Sequence, residues 1–223
     1  MTKEFSSFPR MLLRIYQVIA TLFAISVLPL SAQKVEKASW ELVSAEKDLN
    51  IYTRTSEGSP IKEIQITTTI ESTMQRVTDL LSDVPNYKLW VYKCNEAKRI
   101  KTTSSNDFHY YVETALPYPF SNRDLSVHSV QWWNRETGAY HSRSVAAANA
   151  VPQKKGIVRI TEFESKWEIR PRNDGRVDIV YTARANPGGE IPVWLVNLFI
   201  TKGPLETMQK FTELARVFES SED

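Results

Sequence analysis

The sequence predicts an α+β domain in which one long C-terminal helix closes a large antiparallel sheet. Two observations carry this. From Ile191 to Phe218 apolar residues repeat at helical spacing: Leu195, Leu198 and Phe199, then Leu205, Met208, Phe211, Leu214, Ala215 and Phe218. Nearly everything upstream reads as strand, and the strands follow one another through short turns, which argues for an antiparallel meander. Gly203-Pro204 interrupts the helical stripe, so the helix is expected to kink or break there. Such a helix can cap a filled core or serve as a lid over a tunnel, and a local break suits the second.

The elements follow in order. Trp40–Ser44 and Leu49–Thr55 alternate loosely around Lys47-Asp48, as a hairpin does. Ile61–Ile70 is a strand, with Ile64, Ile66, Thr68 and Ile70 on one face. Ser72 or Thr73 can cap a helix carrying Met74, Val77, Leu80 and Leu81, which Pro85 stops. Asn86–Val91 reads as a second short helix, with Tyr87, Trp90 and Val91 turned inward. Six strands are then expected: Cys94–Thr102, Phe108–Ala115, Leu125–Trp133, Ala139–Ala147, Ile157–Ile169 and Val177–Ala185. On Ile157–Ile169, alternation puts Glu162, Glu164, Lys166 and Glu168 toward solvent. Arg159, Phe163 and Trp167 fall on the other face, which suits either a core or the wall of a ligand pocket.

The chain has 223 residues, 42% hydrophobic and 24% charged, enough for one domain with a sizeable core. Beyond residue 32 it carries 25 basic and 25 acidic residues, so charge gives no argument for nucleic acid. Cys94 is the only cysteine, which excludes an internal disulfide or a Cys-rich metal site. No cofactor is implied.

Lys3, Arg10 and Arg14 precede the apolar run Ile15–Leu30, broken by Pro29, and Ala32 offers a small residue before a cut. Residues 1–32 are therefore expected to be a signal peptide and 33–223 the folded domain. A retained anchor is the alternative, but the run falls short of the ~20 residues of a spanning helix. Export without disulfides suits a bacterial periplasm or cell envelope.

Catalytic motifs are scarce. There is no Gly-rich phosphate loop and no nucleophile elbow. His109, His128 and His141 fall on three different strands without ligand spacing. Trp132-Trp133 and Tyr110-Tyr111 are adjacent pairs, so their members point to opposite faces. The basic clusters Lys98–Lys101 and Lys154-Lys155 read as solvated surface, or as a weak attraction to anionic lipid.

The most distinctive stretch is Ala115–Asp124, Ala-Leu-Pro-Tyr-Pro-Phe-Ser-Asn-Arg-Asp, in which Pro117 and Pro119 fix an extended loop before Arg123-Asp124. With Trp167–Pro171 and the Pro-Val-Trp-Leu opening of the last helix at Ile191–Asn197, the chain resembles the StAR-related lipid-transfer (START) domain family over roughly residues 38–219. The resemblance implies a helix-grip fold: a curved antiparallel sheet around a hydrophobic tunnel, with the last helix as lid and Leu116–Asn122 as gate. It implies binding of a lipid or other hydrophobic small molecule, and generally no catalytic residues. In cholesterol-type members an acid before the gate pairs with an arginine. Glu113 matches the acid, but Ser129 stands at the arginine position, which weighs against sterol specificity.

Phe120, Phe163, Trp167, Leu198, Phe199 and Met208 are the expected apolar ligand contacts. Glu113, Ser129 and Arg143 are the expected polar ones, meeting on one tunnel face if Glu113 lies across from Val127 and Ser129 across from Arg143. The leading expectation is a monomeric lipid carrier of the cell envelope with transient membrane contact. A helix-grip enzyme, cyclase or hydrolase-like, is the alternative, with only Glu113 and Arg143 as candidate groups. A plain interaction module with a collapsed cavity is the third.

Overall fold

The computed structural model describes residues 39–46, 48–55, 62–189 and 191–216, with the backbone alone at Val193 and at 197–199. The expected signal peptide, the lead-in to residue 38 and Phe218 lie outside the described residues. Ten strands form one sheet: β1 (Glu41–Glu46), β2 (Leu49–Thr55), β3 (Lys62–Glu71), β4 (Cys94–Ser104), β5 (Asp107–Thr114), β6 (Arg123–Trp133), β7 (Tyr140–Ala146), β8 (Val158–Arg159), β9 (Glu162–Pro171) and β10 (Arg176–Asn186). Their order is β1-β2-β3-β10-β9-β7-β6-β5-β4, with β8 pairing parallel to β6. The last strand thus joins the N-terminal hairpin region to the later meander.

Between β3 and β4, α1 (Met74–Ser82) and a 3-10 helix (Val84–Leu89) carry the chain to the far edge of the sheet. Thr73 caps α1: its Oγ1 accepts from Arg76 N–H at 3.2 Å, satisfying one of the free amides of the first turn. Pro85 begins the 3-10 helix rather than only ending α1, since the first turn needs no N–H from it.

The C-terminal helix has three parts: α2 (Val193–Asn197), a π turn (Leu198–Lys202) and α3 (Gly203–Ala215). The interruption sits where the sequence expects it and has a cause. Pro204 has no N–H to donate, and its ring crowds the carbonyl four residues back, so the chain widens by one residue before it. α3 is tied down at its far end. Ser72 Oγ donates to the Ala215 carbonyl at 2.5 Å, Arg76 Nη2 to that of Leu214 at 2.9 Å, and Arg216 reaches Asp48 at 2.6 Å.

One face of the sheet and the helices enclose the core. Ile66, Ile70, Ile169, Ile179, Val77, Val84 and Phe211 are almost wholly buried. Each such side chain contributes about 1.5–3 kcal/mol of burial. Trp90, Trp167 and Phe211 form its aromatic centre, with ring centroids 5.0 Å apart for Trp90–Phe211 and 4.9 Å for Trp167–Phe211. Leu214, expected in the buried stripe, is exposed.

One expected strand is two. Ile157–Ile169 breaks at Ile160-Thr161, between β8 and β9. The break changes the parity of side chains, so Arg159 leaves the face of Phe163 and Trp167 and turns to Asp124, while Ile160 is buried.

Candidate functional site

A cavity of about 210 Å³ lies between the inner sheet face, the 3-10 segment and the C-terminal helix. The strand registers fix its wall. Inward residues of β6 are Arg123, Leu125, Val127, Ser129 and Gln131; those of β9 are Phe163, Ser165, Trp167 and Ile169. Above them Ile200, Pro204 and Thr207 close the cavity, from the π turn and the start of α3. Thr207 Oγ1 also accepts from Tyr92 N–H at 3.0 Å, which holds the lid to the segment before β4.

The Arg123-Asp124 pair organises the rim. Arg123 is 3% exposed, and its guanidinium donates to three carbonyls: Pro187 at 2.9 Å, Ser121 at 2.6 Å and Gly188 at 3.2 Å. It therefore joins the gate loop to the loop that leads into the lid. Burial pulls its pKa below the usual arginine value. Gly189, at φ +70°, takes a backbone shape that L side chains avoid, with Arg123 Nη2 only 3.6 Å from where a Cβ would stand.

Asp124 points the other way and is 1% exposed. Arg159 grips it with two bonds, Nε–Oδ1 at 2.6 Å and Nη2–Oδ2 at 2.9 Å, and the Tyr111 hydroxyl donates to Oδ2 at 3.2 Å. The bonds to Asp124 raise the Arg159 pKa against the opposing effect of its burial. Arg159 Nη1 also donates to the Ala148 and Val151 carbonyls, so this ion pair anchors the loop between β7 and β8.

Three expected polar groups do not converge. Glu113 pairs with Asp124 and not Val127; Ser129 pairs with Ser144 and not Arg143, which faces Val130. The β5–β6 hairpin closes on Thr114 and Arg123, three positions from the assumed register, and the next pairing is displaced by one. Odd slips reverse the face. Glu113 and Arg143 therefore lie on the outer face, and only Ser129 faces the cavity.

Glu113 belongs to an outer cluster. Its carboxylate accepts from Lys154 Nζ at 3.0 Å, Asn122 Nδ2 at 3.1 Å and the Tyr111 hydroxyl at 3.3 Å. Burial pushes its pKa up, but these bonds outweigh it and the net direction is down. Lys154 also reaches Glu96 at 2.7 Å, and its bonds together with Lys98 pull Glu96 down to about 2. Lys154 is thus a structural cation, not loose surface charge. Arg143 pairs with Glu164 Oε1 at 3.0 Å.

Of the apolar candidates, Phe163 and Trp167 line the cavity. Met208, on α3 itself, is 1% exposed and packs into the core, off the cavity wall. Phe120 packs edge-on against Trp194 at 5.7 Å between centroids, so the gate loop touches α2. The side chains of Leu198 and Phe199 lie outside the described residues. His109 and His128 stack at 4.5 Å and His141 stacks on Trp132. Among the described residues no three His, Cys, Asp or Glu side chains are grouped to hold a metal.

Sequence reasoning missed Trp90, Tyr110, Ser144 and Ser165 as wall residues and Arg159 as the partner of Asp124. Ser142 and Ser144 carried a period-two signal on β7, and Ser165 alternates with Phe163 and Trp167 on β9, but only the register puts Ser129, Ser144 and Ser165 in one row.

The START domain profile matches residues 29–220. An uncharacterized protein of Pseudomonas aeruginosa is 28% identical over 170 residues, covering 76% of this chain and 83% of that protein. The phosphatidylcholine transfer protein of Mus musculus is 27% identical over 168 residues, covering 72% and 76%. A solved STAR-related lipid transfer protein fragment from Xanthomonas axonopodis superimposes with TM-score 0.71 at 29% identity, covering 78% of this chain and 97% of that one. Human StAR-related lipid transfer protein 5 shares the fold at TM-score 0.72 and 15% identity, covering 93% and 98%. The open, curved antiparallel sheet with its C-terminal helix is the helix-grip fold, and the chain belongs to the START domain family.

Proposed function

We propose that this protein binds a lipid or similar apolar molecule in the cavity beneath its C-terminal helix and carries it between membranes of the cell envelope. The observation that carries the reading is the cavity itself, walled by Phe163, Trp167, Ile160 and Leu125 and roofed by a helix with a break. Apolar surface moved there from water gains about 25 cal/mol per Å². At about 210 Å³ the cavity is smaller than the ~300–1,000 Å³ of common ligand pockets. A two-chain lipid therefore requires the lid and gate to move outward.

The relatives' names support transfer as the output, since they include phosphatidylcholine transfer and StAR-related lipid transfer proteins. Brief membrane contact is supported by Tyr118, 97% exposed on the gate loop, and Trp194, 54% exposed beside it. Such rings suit a lipid–water interface. The envelope location rests on the charged and apolar pattern of residues 1–32. No chemical step is assigned to the site.

Transfer of a fluorescent phospholipid from donor to acceptor vesicles tests the reading. Catalytic amounts of protein are expected to raise the initial rate well above the spontaneous one; an unchanged rate for phospholipid, sterol and fatty-acid probes alike would refute it. Cell fractionation with N-terminal sequencing tests the location, and cytosolic protein beginning at Met1 would defeat it.

A further inference from the structure

The cavity has a graded wall. Strand pairing sets the inner side chains of β6, β7, β9 and β10 in rows, each about 7 Å further from the gate than the last. Near the gate, Phe163 pairs with Ala185. The next row is small: Ser129, Ser144, Ser165 and Ala183. The row after it is Gln131, Ser142, Trp167 and Tyr181. Both of these rows line the cavity. In the row beyond, Tyr140, Ile169 and Ile179 are buried and none of them lines it. Small side chains leave the space open, and it ends on the rings of Trp167 and Tyr181.

Trp167 is packed in place. It is 6% exposed, and its ring centroid lies 4.6 Å from that of Tyr181, 4.9 Å from that of Phe211 and 6.3 Å from that of Trp90. Phe211 is wholly buried, off the cavity wall, on the tethered α3. A ring surrounded in this way moves only if the aromatic centre of the core unpacks. The roof differs. Ile200 and Pro204 cover the cavity at the π turn, where the helix is already interrupted. The roof can therefore yield where the floor holds.

We propose that Trp167 is a specificity-determining residue, the fixed floor that limits how long a cargo the cavity accepts. This rests on the apolar-cargo reading above and adds the class of cargo: one whose apolar part, chain or ring system, has a bounded length. From Leu125 near the gate to Gln131 on the floor row, β6 spans about 20 Å. Each methylene held within that span leaves water and raises affinity about fourfold. A methylene beyond it stays in water and adds nothing.

The test titrates straight-chain primary alcohols, from hexanol to tetradecanol, against anilinonaphthalene sulfonate bound to the protein. Wild type is compared with Trp167→Leu, which lowers the floor, and with Ser165→Leu, which raises it by one row; circular dichroism checks the fold of each. In wild type, affinity is expected to rise about fourfold per methylene up to a limiting length and then stay flat. The limit is expected to move to longer alcohols in Trp167→Leu and to shorter ones in Ser165→Leu. If Trp167→Leu does not fold, the shift in Ser165→Leu decides. A limit at the same alcohol in every folded protein, or no limit in wild type, overturns the floor while leaving an apolar cavity standing. Binding of none of the alcohols to wild type overturns the floor and the cargo reading together.

Discussion

The ring of Phe120 meets the ring of Trp194 edge-on, with centroids 5.7 Å apart and planes inclined by 70°. One residue belongs to the loop Leu116–Asn122 and the other to the first turn of the C-terminal helix, so this contact joins the two segments expected to act as gate and lid. An aromatic pair of this geometry contributes ~0.5–1.5 kcal/mol beyond burial. Phe120→Ala and Trp194→Ala are each expected to speed release of a bound fluorescent lipid about 2- to 12-fold. The double variant should be no faster than the faster single one. Additive acceleration would mean that the two rings do not act through each other.

The π turn before Gly203-Pro204 separates a well-tethered α3 from α2. Opening is expected to hinge there. Gly203→Ala with Pro204→Ala removes the reason for the widened turn and should slow lipid exchange while circular dichroism stays unchanged. Stopped-flow exchange rates equal to wild type would count against the hinge.

The Asp124–Arg159 pair is almost fully buried, so its halves are unequal alone and together. Asp124→Asn leaves the arginine uncompensated and should cost about 3–5 kcal/mol in urea unfolding. Asp124→Asn with Arg159→Met should cost less than the two single changes summed. Strict additivity would show that the ion pair is not a unit.

The Lys154 cluster makes a pH prediction. Glu96 is held down to about 2 and Glu113 is lowered as well. Lowered carboxyl values stabilise the fold above the ordinary value of 4.5, and the contribution is lost as pH falls toward 2. In Lys154→Met both carboxyls should titrate higher by NMR. The stability gap to wild type should be full above pH 4.5 and should shrink toward pH 2. A gap independent of pH would remove the cluster from the fold's electrostatics.

The fold was legible because its signals are local. The alternation of Ile64, Ile66, Thr68 and Ile70 fixed the inner face of β3, and Met208, Phe211 and Ala215 marked the buried stripe of α3. The polar site was not legible, because which residues share a face depends on register. A hairpin that closes on Thr114 and Arg123, instead of deeper in the strands, sent Glu113 outward. The break at Ile160-Thr161 did the same to Arg159, and no residue there announces it as glycine or proline would. Trp90 read as a core aromatic, since nothing in the sequence marks it as a cavity wall.

The central claim is that cargo occupies the space between the serine row and the lid. Ala183 faces that space and is paired with Ser165 and Ile64. Wild type and Ala183→Trp are incubated with vesicles of mixed bacterial lipids, repurified and weighed by native mass spectrometry, with circular dichroism as the check on folding. Wild type is expected to carry a solvent-extractable apolar adduct, and folded Ala183→Trp to carry little or none. Equal adducts on both proteins would place the cargo elsewhere, and no adduct on either would contradict the account.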